Sequence, residues 1–335
     1  MNNILVITPN WLGDAIFSTP VFKALKKAYP QARLVCLCAP RVKEVLDYCP
    51  YVDKVITYDE QKKHRWPWKK WKMIQKIRAE KCDAAFFLHR SMTRALMVFL
   101  AGVPLRIGYG KATWLLTHPV SLPQADMHRS DSYLNVLAKF GLNVDEKACE
   151  LRLKVDDVQT LEEKLQRQGI GPRDDFMVFN TGGNWDLKRW PIAYFVELAK
   201  RVHKEIKMDI VLSGGGVDVA QCRGIKQESG VPLVVLAGET TLGESLVLYK
   251  KAKVVVSADS GPLHLAHSVG AAVVGIFGAT RVEVTGPRGS GRKEILFKDV
   301  GCNQAPCYHL ACGNNVCMQA VGVDDVLEAI KKFLC

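Results

Sequence analysis

Three segments of this 335-residue chain combine glycine, hydroxyl and charged side chains where a short apolar run gives way to a helical pattern. The most informative is Ser257-Ala-Asp-Ser-Gly-Pro-Leu-His264. A strand over Val254 to Ser257 leads into a helix that would bury Leu263, Ala266 and Val269 at helical spacing. In the turn, Asp259 and Ser260 are capping residues, Gly261 lets a ligand approach the backbone, and Pro262 suits a first helical turn. The first N–H groups of a helix have no internal partner and sit at the positive end of its dipole, so a phosphate is their natural guest. An ordinary capped turn between strand and helix is the competing reading.

The second segment is Asn180-Thr-Gly-Gly-Asn-Trp-Asp-Leu-Lys-Arg-Trp-Pro191. Gly182 and Gly183 free the backbone, Lys188 and Arg189 supply cations, and Pro191 starts a helix, so a pyrophosphate would find charge and donors here. A solvated basic turn is the alternative. The third segment, Pro9 to Pro20, holds the single glycine Gly13 where a dinucleotide fingerprint needs three, which disfavours a nicotinamide enzyme. Asp14 follows it at a helix start. As an N-cap it would stabilise that helix by about 1 kcal/mol; as an exposed carboxylate it could take a proton from a substrate hydroxyl.

These segments need a scaffold that presents the carboxyl ends of strands. Apolar runs alternate with amphipathic stretches almost throughout, the pattern of a parallel α/β protein. Strands are expected at 4–8, 33–38, 54–58, 83–88, 176–180, 209–213 and around Val254 and Val273, with a helix kinked or restarted at Pro20 and another over Ile192 to Val202. The polar stretch 154–175, with Gly169-Ile-Gly-Pro172, reads as a linker. The expected organisation is a domain over 1–165, a second over 174–322, the two facing each other across a cleft, and a closing helix within 323–335 that packs back on the first. No apolar run of bilayer length and no basic-then-apolar leader is visible, and eleven cysteines, an odd number, suit a reducing compartment. A cytoplasmic protein is expected. The formal charge of +12 asks for a polyanionic partner, whether nucleic acid, anionic lipid or a phosphorylated substrate.

Gly13-Asp-Ala-Ile-Phe-Ser-Thr-Pro20, Lys188-Arg-Trp-Pro191, Leu236-Ala-Gly-Glu-Thr-Thr-Leu242 and Asp259-Ser-Gly-Pro-Leu-His264, in this order and at these separations, resemble the bacterial lipopolysaccharide heptosyltransferases of glycosyltransferase family 9. The resemblance implies a GT-B fold of two Rossmann-like domains, with the acceptor on the first and an ADP-sugar on the second. It implies an inverting transfer of L-glycero-D-manno-heptose from ADP-heptose, a substrate, to inner-core heptose, with no cofactor required. It also implies that Asp14 is the general base. Lys188 and the N–H groups of Ser260 and Gly261 would then stabilise the departing pyrophosphate. Thr240 and Thr241 match the nucleobase side of the pocket, and Gly183 and Arg189 line the donor site. Asp218, beyond the Gly214-Gly-Gly216 turn, is a candidate ribose ligand, and His264 supports the Asp259 turn.

On the acceptor side, residues 61–72 carry Lys62, Lys63 and Arg65, then Lys69, Lys70 and Lys72 among three tryptophans. This loop could grip the carboxylates and phosphates of the inner core, its tryptophans stacking on sugars or resting at a membrane interface; a solvated helix start with buried tryptophans is the alternative. Gly13, Arg90, Arg94 and His128 are further acceptor candidates, and a peripheral position at the inner face of the cytoplasmic membrane is expected. No helix-turn-helix, RNP-like or zinc-finger pattern accompanies the basic cluster, so nucleic acid is not an expected partner. Cys302, Cys307, Cys312 and Cys317, with His309 among them, are weak metal candidates; disulfides and free thiols are the alternatives. Asn184 and Trp185 depart from the small or acidic residues usual in related enzymes. Beside heptosyl transfer stand a related transferase with another sugar or acceptor, a nonenzymatic sugar-nucleotide or lipopolysaccharide binder, and a nicotinamide-dependent dehydrogenase or epimerase.

Overall fold

A computed structural model describes residues 1–60, 66–183, 185–302, 307 and 312–334. The chain divides into two compact units, Met1–Arg152 and Leu153–Cys335. The first unit is built on a parallel sheet of β1 (Asn3–Ile7), β2 (Arg33–Cys38), β3 (Lys54–Thr57), β4 (Ala84–Phe87), β5 (Leu105–Gly108) and β6 (His118–Pro119), in the order β3-β2-β1-β4-β5-β6. The second repeats this with β7 (Phe176–Asn180), β8 (Asp209–Ser213), β9 (Val234–Val235), β10 (Val255–Ala258), β11 (Val273–Ile276) and β12 (Lys293–Leu296), in the order β12-β11-β10-β7-β8-β9. Helices cover both faces of such sheets, so the central strands read as unbroken apolar runs; Phe176–Asn180 is buried at every position.

Pro20 acts as a restart. One helix runs Leu12–Phe17 and the next Thr19–Ala28, with Ser18 closing the first and opening the second. Pro20 falls in the first turn of the second helix, where its missing N–H costs nothing. The linker expectation from the sequence is corrected. The stretch read as a linker contains the helix Val155–Arg167, which buries Leu161 and Leu165 four residues apart and is tied by a Lys164–Glu244 bridge of 2.7 Å to the helix Leu242–Lys251. The closing helix, Val323–Leu334, belongs to the core of the second unit: Val326, Leu327, Ala329 and Ile330 pack with Phe195 and Leu198 of the helix Ile192–Arg201. Ion pairs from Arg201 to Asp324 and Lys331 to Glu205 flank that seam.

His267 ties the second unit together and makes it acid-sensitive. Its Nε2 donates to the Gly291 carbonyl at 2.9 Å and its Nδ1 accepts the Gly289 N–H at 2.5 Å, so a second ring proton would displace the Gly289 bond. Burial pushes its pKa down to about 4, against the pull of the Gly291 carbonyl and with Lys293 adding to the depression. The unfolded value, about 6.5, lies higher, so the unfolded chain binds the extra proton first. Stability is therefore complete above that pH and should fall as the pH drops from about 6.5 to 4, by about 3 kcal/mol for this one group. Thermal melts across this range should show the loss, and His267→Gln should flatten it; an unchanged slope in the variant would assign the acid sensitivity elsewhere.

Candidate functional site

In the second sheet the chain leaves β7 toward one edge and β10 toward the other, so these neighbouring strands form the switch point at which doubly wound sheets bind ligands. The loops after them carry the two expected phosphate segments, and the structure brings these together. Lys188 Nζ lies 2.7 Å from Asp259 Oδ2. Thr280 and Thr285 donate to the same oxygen at 2.5 and 3.3 Å, while His264 Nε2 lies 3.3 Å from Oδ1. Burial of Asp259 opposes its ionisation, but His264 and Lys188 outweigh that and hold the carboxyl well below the usual carboxylate range. Its contribution to stability is present above the ordinary range and is lost only as the pH falls through that depressed value. Lys188 Nζ also stands 5.2 Å from the centre of the Trp185 ring.

The helix after β10 runs Gly261–Ser268, with Ser260 as its N-cap. Neither the Asp259 nor the Ser260 side chain supplies a capping bond, contrary to the sequence expectation: Ser260 holds the N-cap position by its backbone alone, and its Oγ is 3.2 Å from Ser257 Oγ. The first turn thus offers backbone N–H groups with no side-chain acceptor, beside a lysine held in place by a buried carboxylate. Fixed donors at a helix start next to a fixed cation suit a pyrophosphate.

Several donor candidates prove to shape the loops. Arg189 donates through Nε and Nη2 to the Gly183 carbonyl at 3.1 and 2.9 Å, and through Nη1 to Gln221 Oε1 at 3.2 Å, stapling the loop after β7. Asp218 is buried, accepts the Gly215 N–H at 2.8 Å and lies 3.8 Å from Arg189. A Cβ on Gly182 would fall 2.3 Å from Asp218 Oδ2, so this close approach requires glycine, whereas Gly183 faces open space. Thr241 is the N-cap of Leu242–Lys251 in a reciprocal capping box with Glu244, and Thr240 Oγ1 lies 2.9 Å from Ser245 Oγ. Asn184 lies outside the described residues.

In the first sheet the switch point is between β1 and β4. The N-cap of Leu12–Phe17 is Trp11, which excludes Asp14 from the cap; Asp14 sits in the first turn, half-buried, next to Gly13. Its Oδ1 accepts from the Tyr133 hydroxyl at 3.0 Å. Burial pushes the Tyr133 phenol well above its usual range and the Asp14 carboxylate adds to this, so Tyr133 stays a donor at physiological pH. If Asp14 is the base that the sequence resemblance implies, Tyr133→Phe should lower kcat about tenfold by freeing the carboxylate to rotate, with KM values nearly unchanged; a KM effect alone would assign Tyr133 to binding.

Arg94 and His128, expected as acceptor ligands, are each engaged by the first unit's own groups. Arg94 is buried and donates to the Thr8 carbonyl at 3.1 Å and to Asn10 Oδ1 at 2.8 Å, bracing the loop that leads to Asp14. His128 is buried, caps the helix Arg129–Lys139 through Nδ1 and meets Phe17 edge to face. Arg90 is exposed. Beside it His89, whose pKa burial and the Arg94 charge push down to about 4, has Nε2 3.3 Å from Asn10 Nδ2. Lys62, Lys63 and Arg65 lie outside the described residues. Sequence reading missed Tyr133 and His89 in the first unit and Thr280 and Thr285 in the second. Thr280 follows β11, where the same loop-after-strand signal would have found it.

Cys302, Cys307, Cys312 and Cys317 line a common pocket with Leu187 and Ala279, and none forms a disulfide. Among the described residues no three metal-ligating side chains gather at a coordinating site. His309 lies outside them.

The model of glycosyltransferase family 9 (heptosyltransferase) matches residues 70–314. Lipopolysaccharide heptosyltransferase 2 of Escherichia coli K12 is 26% identical over 296 residues, 85% of each chain. Among solved structures, a family 9 glycosyl transferase from Veillonella parvula superimposes with a TM-score of 0.88 at 21% identity, covering 99% of this chain and 97% of its own. The ADP-heptose lps heptosyltransferase II of E. coli gives 0.81 at 23%, covering 100% and 98%. The chain shares the GT-B fold of these neighbours.

Proposed function

Because the chain belongs to glycosyltransferase family 9, the heptosyltransferases, we propose that it transfers L-glycero-D-manno-heptose from ADP-heptose to the inner-core heptose of lipopolysaccharide, with inversion. The observation that carries the donor half of this reading is the Lys188–Asp259 pair beside the uncapped start of Gly261–Ser268. Asp14 takes the proton of the acceptor hydroxyl as its oxygen attacks the anomeric carbon. The new carbon–oxygen bond forms on the face opposite ADP, and the electron pair of the breaking bond leaves with the pyrophosphate. Lys188 and the N–H groups of Ser260 and Gly261 receive that charge. Asp259, His264, Thr280 and Thr285 keep the lysine placed before the donor arrives, so little reorganisation is needed in the transition state. Because each step falls to a side chain or a backbone donor, the scheme calls for no cofactor. The acceptor is lipid-borne, and the enzyme works at the inner face of the cytoplasmic membrane; no described helix is long and apolar enough to cross it.

Mass spectrometry of a Kdo-heptose acceptor incubated with ADP-heptose and the protein tests the reading directly. A one-heptose gain in mass is expected. No gain, with gain from another ADP-sugar or on another acceptor, would replace this substrate pair within the same family.

A further inference from the structure

The helix Met92–Leu100 carries one charged residue, Arg94, and that residue is buried. Where a helix facing water puts polar side chains, it exposes Met92, Leu96, Phe99 and Leu100, a stripe along one face. On the adjoining helix Pro67–Ala79, Met73, Ile74 and Ile77 enter the core, while Trp68 and Trp71 stay 57% and 53% exposed, Trp68 stacked on Trp66 with ring centres 5.1 Å apart. Trp114, in the short turn Thr113–Leu115, is 73% exposed although its neighbour Leu115 is fully buried. These three elements send their inner side chains into one cluster on one face of the first sheet, so their outer faces form a common surface. Single exposed apolar residues are ordinary; a run of them across three adjacent elements marks a site of contact.

Charge selects the occupant. The Pro67–Ala79 helix holds Lys69, Lys70, Lys72, Lys76 and Arg78 and no acidic residue. Lysine is depleted from protein–protein interfaces, whereas tryptophan beside lysine is the composition of segments that rest among anionic lipid headgroups. With 9 and 13 residues, the two helices are too short to span a bilayer and would lie in its plane. We propose that this face seats the first unit on an anionic lipid bilayer, the tryptophans and Phe99 at headgroup depth and the lysines on lipid phosphates. Docking does not depend on the transfer reaction. If that reaction is as proposed, docking holds the unit that carries Asp14 at the surface where a lipid-linked acceptor is found.

The test is co-sedimentation of the full chain with vesicles of phosphatidylethanolamine containing phosphatidylglycerol, beside vesicles of phosphatidylcholine. Binding to the anionic vesicles is expected, weakened at least about tenfold on neutral vesicles or in high salt. L96Q/F99Q and W114Q should weaken it comparably through lost insertion, and K76E through lost attraction, while their melting temperatures and transfer to a deacylated, water-soluble acceptor stay as in wild type. Wild type that ignores anionic vesicles, or variants that bind like wild type, would overturn the proposal. So would a lipid-free dimer that L96Q/F99Q dissolves, because the face would then be covered by a second copy. Transfer to the soluble acceptor without vesicle binding would defeat docking alone; vesicle binding without transfer would defeat the reaction alone.

Discussion

Asp14→Asn is expected to lower kcat by about a thousandfold, within the range of a lost general base, while ADP binds as tightly as to wild type. The change keeps shape and the ability to accept from Tyr133, whose hydroxyl lies 3.0 Å from Asp14 Oδ1, so the fold should be undisturbed. What the amide cannot do is accept the acceptor's proton. Steady-state transfer assays with isothermal titration of ADP separate the two effects. Turnover near wild type would remove Asp14 from the role of base, and a parallel loss of ADP affinity would show a wider disturbance.

Lys188→Ala should strike both activity and stability. If Lys188 receives the charge of the leaving pyrophosphate as proposed, its removal is expected to cost about a hundredfold to a thousandfold in kcat/KM. The variant also leaves Asp259, 3% exposed, with a carboxylate that has lost its lysine partner. Breaking a buried pair typically costs 3–5 kcal/mol, and because Lys188 is itself one-fifth exposed and His264 remains beside Asp259, roughly 2–3 kcal/mol is expected. Lys188→Arg would keep the charge but not the point geometry, so it should recover more stability than activity. Differential scanning calorimetry with donor kinetics checks both; an alanine variant that melts and turns over like wild type would make the pair an onlooker.

The elements that carry these groups were largely legible. Arg33–Cys38, Phe176–Asn180 and Asp209–Ser213 have the bounds expected of them, because a strand buried on both faces is an apolar run with polar ends. Pro20 announced the break between two helices by the geometry of its ring. The positions of Lys188 and Asp259 at one switch point follow from which strands pair; the alternation of strands and helices pointed to a parallel sheet, while the order of its strands came from the structure. Contacts between distant side chains were not legible. Tyr133 and Asp14 are 119 residues apart, and no local pattern links a residue in one helix to the first turn of another. Arg94 looked like a surface cation because it follows a strand; its burial is decided by the Thr8 carbonyl and Asn10, which belong to a different loop. The Val155–Arg167 helix was mistaken for a linker because its many charged residues and the Gly169-Ile-Gly-Pro172 stretch after it outweighed the helical spacing of Val155, Val158, Leu161 and Leu165.

The bare start of Gly261–Ser268 has an implication for engineering. A sequence tuned for stability alone would place a better N-cap than a serine that bonds elsewhere, and Ser260→Asp would be expected to add about 1 kcal/mol. The same carboxylate would occupy the amides and repel a phosphate. A screen that selects for heat tolerance should therefore find this position readily and return an inactive protein, so an improving melting temperature at residue 260 is itself a warning that function has been traded away.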